Sequence, residues 1–145
     1  MQSDVERTLT RVPLFRQLGR AYMLDIAHNA DLRDFDAGET IVAEGDPSES
    51  FYVIVRGSVE VLKEREKGAA RVVTTLEDGQ YFGELSIFDN QPRSATVRAT
   101  KATTCLVIPR WEILQTVEAS PEVSKRMLAY LSSRLRATTD ALPFD

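Results

Sequence analysis

Two residues of opposite charge, Glu84 and Arg93, frame a short stretch whose composition suits the holding of an anion. Gly83 stands just before it, and a residue without a Cβ lets backbone come close to a ligand. Glu84-Leu85-Ser86-Ile87-Phe88 leaves room for little more than one helical turn before Asp89-Asn90-Gln91-Pro92 breaks it. The first amides of a helix are free donors, so its start can face an anion. The Arg93 guanidinium adds a fixed charge and a planar fork of donors matched to phosphate oxygens. A carboxylate beside an anion is out of place unless it accepts from hydroxyls, and a ribose 2′-hydroxyl would give Glu84 that task. These residue types describe a site for a sugar phosphate, whether open or cyclic.

Other reactive side chains are sparse. His28 is the single histidine and Cys105 the single cysteine. That excludes an internal disulfide and a cysteine-rich zinc site. It also weighs against a metal-dependent roll enzyme, which needs a cluster of His and carboxylate ligands. No catalytic residue, metal ligand or cofactor is assigned, and an enzyme is not expected. His28 is expected at a surface or helix end, and Cys105 as a small buried hydrophobe. Trp111 is expected in the core. Tyr130 is open between the helix surface, a pocket lid and a dimer contact. Asp89 and Asn90 read as turn formers, and Lys63 to Lys67 as a solvated hairpin tip.

The elements that must position these residues can be read from spacing. Leu14, Leu18, Tyr22 and Ile26 recur every four residues, which predicts a helix from about Asp4 to Ala30. From Phe35 the pattern becomes short strands. Phe51 to Val55 is β-branched and aromatic, and Val59, Val61 and Lys63 alternate with Ser58, Glu60 and Leu62. Arg71 to Leu76, Ser94 to Ala99 and Thr103 to Ile108 are further strands. Glu44-Gly45-Asp46-Pro47 and Glu77-Asp78-Gly79-Gln80 read as turns. Pro109 is placed to open a helix. Ser120-Pro121-Glu122 has the form of a second helix start, with Ser as N-cap. The class expected is mainly β with flanking helices: a β-roll of double-stranded β-helix or jelly-roll type, with an N-terminal helix and C-terminal helices. One domain over 1–145 is expected, divided into 1–30, a roll over 31–108 and helices over 109–142.

The chain has 145 residues, 43% hydrophobic and 28% charged, ordinary values for one globular domain. No apolar run approaches the roughly 20 residues that span a bilayer. The first residues lack the apolar core of a signal peptide, so a cytoplasmic location is expected. A net charge of −4 argues against DNA contact by this segment itself.

Phe82-Gly83-Glu84-Leu85-Ser86 followed by Pro92-Arg93-Ser94-Ala95-Thr96-Val97 closely resembles the phosphate-binding cassette of cyclic-nucleotide-binding domains. Ala37-Gly38-Glu39-Thr40-Ile41, Glu44-Gly45-Asp46, Phe51-Tyr52-Val53-Ile54 and Gly57-Ser58-Val59 are similar to that family's opening strands, in the same order. The resemblance covers most of the chain. It implies a cassette over 82–96 in which Glu84 accepts from the ribose and Arg93 pairs with the cyclic phosphate. Gly83, Leu85, Ser94 and Ala95 would supply amides, with Val73 and Phe82 on the base or sugar side. Ser94 follows the cassette arginine, where cyclic-GMP-selective relatives often carry Thr, so the resemblance leans to cyclic AMP with cyclic GMP as the alternative.

From Arg93 onward the chain resembles CRP/FNR-type activators more than kinase subunits or channels. In that group the last helix dimerises, and two adjacent hydroxyl residues reach the adenine, one from the partner subunit. Thr138 and Thr139 fall on those positions. Leu128, Leu131, Leu135, Thr138 and Leu142 are spaced as a heptad seam. A homodimer through this helix is expected, as the effector domain of a transcription regulator or as a freestanding sensor. The competing expectation is a β-roll interaction domain that senses another ligand or none.

Overall fold

The computed structural model describes residues 2–66, 69–83 and 86–140. Where one long N-terminal helix is expected there are three: α1 (Gln2–Thr10), α2 (Pro13–Arg16) and α3 (Arg20–Asn29). Proline cannot donate inside a helix, and Pro13 instead starts α2. Gly19, at φ 84°, turns the chain and caps α3. Leu14, Leu18 and Ile26 are all buried, but from separate segments rather than along one face.

The strands are β1 (Asp31–Phe35), β2 (Thr40–Val42), β3 (Ser50–Arg56), β4 (Ser58–Glu66), β5 (Ala69–Glu77), β6 (Tyr81–Phe82), β7 (Thr96–Ala99) and β8 (Thr103–Pro109). A short helix, α4 (Ser86–Asp89), lies between β6 and β7. The strands form two four-stranded antiparallel sheets, ordered β1-β8-β3-β6 and β2-β7-β4-β5. This is the expected β-roll with flanking helices. β1 and β6 go beyond the strands read from sequence. β1 carries polar, exposed residues on an edge, and β6 has only two residues.

The first sheet is covered on both faces. Phe51, Val53, Leu106 and Ile108 point to the helices, where they join Leu9, Phe15, Ile26, Ile113 and Met127. Tyr52, Ile54, Cys105 and Val107 point into the roll, against Val42, Val59 and Val97 of the second sheet. This is why β3 and β8 read as unbroken apolar runs rather than alternating ones. Cys105 is fully buried, as expected. Gly57 at the β3–β4 turn has φ 124°, and a Cβ there would lie 2.4 Å from the Thr103 hydroxyl, so only glycine allows the two segments this close.

The alternation expected in β4 fails at its far end: Leu62 is buried and Lys63 exposed. The register shifts at this point, with Val61 opposite Thr74 but Leu62 opposite Val72. Val73 is the extra residue of a bulge, which bends and twists the ribbon locally. The second sheet's outer face carries charge, as in the Arg98–Glu60 ion pair at 2.7 Å.

Two helices follow the roll, α5 (Arg110–Ala119) and α6 (Pro121–Asp140). Pro109 ends β8 and serves as the N-cap of α5. Trp111 is not in the core; it is 56% exposed. The buried side of α5 is Glu112, Ile113 and Thr116, and at about 3.6 residues per turn Trp111 lies nearly opposite Ile113. The Ser120 hydroxyl accepts from the Val123 amide at 3.3 Å, the cap expected at the start of α6. Val123 and Met127 bury one side of that helix, while Leu128 and Leu135 are exposed. Among the described residues no helix is long and apolar enough to cross a membrane.

Candidate functional site

Arg93 is the structural centre of the region between α4 and β7. Its backbone is pinned to the β2–β3 turn: its amide donates to Asp46 O at 2.8 Å, and its carbonyl accepts from Gly45 N–H at 2.8 Å. The turn is closed by Asp46 N–H to Ala43 O and by the Asp46 carboxylate accepting from the Ala43 amide. Asn90, at φ 54°, ends α4 in a left-handed conformation that Asn tolerates. The Asp89 carboxylate accepts from the Gln91 amide at 3.1 Å. Asp89 and Asn90 are therefore turn formers, and the turn they make returns the chain at Arg93.

From this anchor the Arg93 side chain runs inward and is only 6% exposed. Its Nη2 donates to the Ser50 carbonyl. Its Cζ lies 5.6 Å from the centre of the Tyr52 ring. A Cβ on Gly83, whose φ is 93°, would stand 2.6 Å from Nη1, so glycine lets the β6 end and the guanidinium meet. Arg93 Nε is buried and has no hydrogen-bond partner among the described residues. A buried donor left unpaired costs about 1–3 kcal/mol and calls for an acceptor. Burial holds the Arg93 guanidinium below its usual range, while Tyr52 and Asp46 pull it back up. No ion pair to Arg93 occurs among the described residues.

The other expected residues divide. Phe82 is half-buried and stacks on Tyr52, with ring centres 4.9 Å apart and planes 5° apart. Ser94 is exposed and Ala95 half-buried, in a bend ahead of β7. Among the described residues nothing accepts from their amides. Gly83, Phe82, Arg93 and, through Arg93, Ser94 and Ala95 are thus brought together. Val73 sits at the β5 bulge and is 54% exposed. Thr138 and Thr139 lie in the last turns of α6. Glu84 and Leu85 lie outside the described residues.

Sequence reasoning missed Tyr52 and Ser50. Tyr52 reads only as part of an aromatic strand, and Ser50 acts through its carbonyl, which every residue type has. Their contact with Arg93 depends on how β3 crosses beneath the cassette, and no local spacing encodes that. A cavity of about 710 Å3 has Ser50, Pro92, Arg110 and Trp111 among its lining. No group of three or more His, Cys, Asp or Glu poised to hold a metal occurs among the described residues. Burial pushes the Cys105 thiol up to about 12, so it is no nucleophile at neutral pH. His28 is exposed in the last turn of α3.

The chain matches the family model described as cyclic nucleotide-binding domain over residues 32–120. It is similar to a cAMP-dependent protein kinase regulatory subunit of Mycosarcoma maydis, 41% identical over 98 residues, covering 68% of this chain and 18% of that protein. It is also similar to a CRP-like cAMP-activated global transcriptional regulator of Mycobacterium tuberculosis, 28% identical over 138 residues, 95% of this chain and 62% of that one. The Thermus thermophilus catabolite activator protein superposes with a TM-score of 0.72 at 29% identity, over 88% of this chain and 60% of that one. The chain spans less than two thirds of the curated relatives named here.

Proposed function

This chain belongs to the cyclic nucleotide-binding domain family, and we propose that it senses cyclic AMP through the segment from Phe82 to Thr96. In this reading Arg93 pairs with the cyclic phosphate and Glu84 accepts from the ribose 2′-hydroxyl. Gly83, Leu85, Ser94 and Ala95 donate amides, and Phe82 and Val73 face the sugar or base. The observation that carries it is Arg93: a buried guanidinium with neither a carboxylate partner nor an acceptor for its Nε among the described residues. A phosphate oxygen supplies both the missing charge and the missing acceptor. The choice of cyclic AMP rests on the relatives, which are named as cAMP-dependent and cAMP-activated proteins.

The signal would leave through α6. The Tyr130 hydroxyl on α6 stands 3.4 Å from that of Tyr81, the residue beside Phe82. Ligand that moves Phe82 therefore has a short route to the last helix. Leu128 and Leu135 are 65% and 68% exposed on it, a suitable seam for a homodimer that would bring Thr138 and Thr139 to the adenine. A strict monomer in sedimentation velocity, with and without cyclic AMP, would refute the seam. The dimer would act as the effector domain of a CRP/FNR-type regulator or as a freestanding sensor.

Isothermal calorimetry on Arg93→Met tests the site. Loss of the phosphate's buried partner is expected to weaken cyclic AMP binding about a hundredfold, equivalent to about 3 kcal/mol. Unchanged affinity would sink the assignment. The second reading is a roll that senses something else or nothing. A thermal-shift screen of cyclic AMP, cyclic GMP and cyclic dinucleotides separates the two, since a ligand of the folded state raises its melting temperature.

A further inference from the structure

We propose that Tyr52 is the positioning residue of the cassette, holding its two ends in register so that Arg93 meets the ligand phosphate at a fixed depth and tilt. The proposal rests on the cassette reading above and goes on to name what orients its arginine. One ring touches both ends. Tyr52 stacks on Phe82, just ahead of Gly83, at 4.9 Å and 5°. It also lies under the Arg93 guanidinium, with Cζ 5.6 Å from its centre.

The backbone cannot do this alone. β6 consists of Tyr81 and Phe82 only, paired with Val53 and Tyr52 of β3. Backbone bonds of Ile54 with Gly79 and Gln80 hold its leading end, and at Phe82 the cross-strand side-chain pair adds to a short ladder. Arg93 in turn is tied to the β2–β3 turn through its main chain, which leaves its long side chain free to choose a rotamer. The Ser50 carbonyl takes Nη2, and the face of an aromatic ring attracts the delocalised cation while leaving its edges free for hydrogen bonds. An arginine stacked in this way loses less freedom when a phosphate arrives. Tyr52 itself is 8% exposed and sits on β3 between buried Phe51 and Val53, so the platform is rigid.

The experiment is a double-mutant cycle read by calorimetry with cyclic AMP on the full chain. Tyr52→Phe keeps the ring and is expected to stay within about threefold of wild type. Tyr52→Leu removes it and is expected to weaken binding about tenfold, in the range of a desolvated cation–π contact. In the Arg93→Met background Tyr52→Leu should change affinity by less than about threefold, because its effect passes through the guanidinium. Tyr52→Met, which fills the space flexibly, replaces the Leu variant if that chain does not fold. Wild-type affinity in the ring-less variant, or the same loss with and without Arg93, overturns the role of Tyr52 and leaves the cassette reading standing. A wild-type chain that binds no cyclic AMP, or an Arg93→Met chain that binds it equally well, overturns both.

Discussion

The two faces of the first sheet hold different interiors. Toward the helices, Leu9, Phe15, Phe51, Leu106, Ile113 and Met127 pack together, and the buried carboxylate on that side, Glu112, accepts from the Asn29 side-chain amide at 3.1 Å. Phe51 packs there between Phe15 at 5.1 Å and Tyr81 at 5.6 Å. Toward the roll, the cluster of Val42, Tyr52, Ile54, Val59, Val97, Cys105 and Val107 has smaller members, and a buried arginine reaches Tyr52 beside them. The roll side instead holds a buried cation whose Nε has no partner among the described residues. One face of the sheet is therefore built for stability, and the other gives up some stability to hold a charge where a ligand can find it.

The helix side should fail hardest when cut. Phe51→Ala removes a fully buried ring, and such truncations cost about 3–5 kcal/mol. Urea denaturation would read this as a lowered midpoint. A loss below about 1 kcal/mol would show that the helical layer contributes little, and the contrast between the two faces would collapse.

How much of this was legible depended on whether a feature is local. The turn over Asp89–Pro92 was, because Asp89 and Asn90 form it within a few residues of one another. The roll was, because β3 and β8 are strongly apolar. The single N-terminal helix was not, because the spacing of Leu14, Leu18 and Ile26 survives a break at Pro13 and Gly19 that leaves all three buried. Trp111 misled because aromatic bulk predicts burial, whereas the phase of α5 turns it outward. Tyr52 was invisible as a site residue because its partners, Phe82 and Arg93, arrive by sheet topology.

Cys105 tests how dry the roll interior is below the arginine. Burial pushes its thiol up to about 12 from a reference of 9.0. A raised value means that stability is complete below the unfolded value and is lost as pH rises toward the folded one. Between about pH 9 and pH 12 the unfolded chain ionises and the folded one does not, costing about 1.4 kcal/mol per pH unit. At pH 11 that is about 3 kcal/mol. Cys105→Ala should lose this alkaline penalty, so urea midpoints of the two chains, compared at pH 8 and pH 11, should converge or cross. Parallel profiles would mean that water reaches the sulfur and that the interior is wetter than its packing suggests.

The smallest effect is the most informative. Arg93→Met exchanges a buried guanidinium for an apolar chain of similar length. The gain is the desolvation that burial imposes, the same cause that holds the Arg93 pKa down. The loss is the donor to the Ser50 carbonyl and the contact with Tyr52. Replacing buried charge with apolar packing is often neutral or stabilising, while an orphaned carbonyl costs about 1–3 kcal/mol unless water reaches it. These terms oppose one another, so the ligand-free stability should stay within about 1 kcal/mol of wild type while cyclic AMP affinity falls about a hundredfold. A urea midpoint that drops by the equivalent of more than about 2 kcal/mol would make Arg93 a structural tie between the β2–β3 turn and β3. An unchanged midpoint with lost binding leaves the ligand as the reason a cation is buried on this face of the sheet.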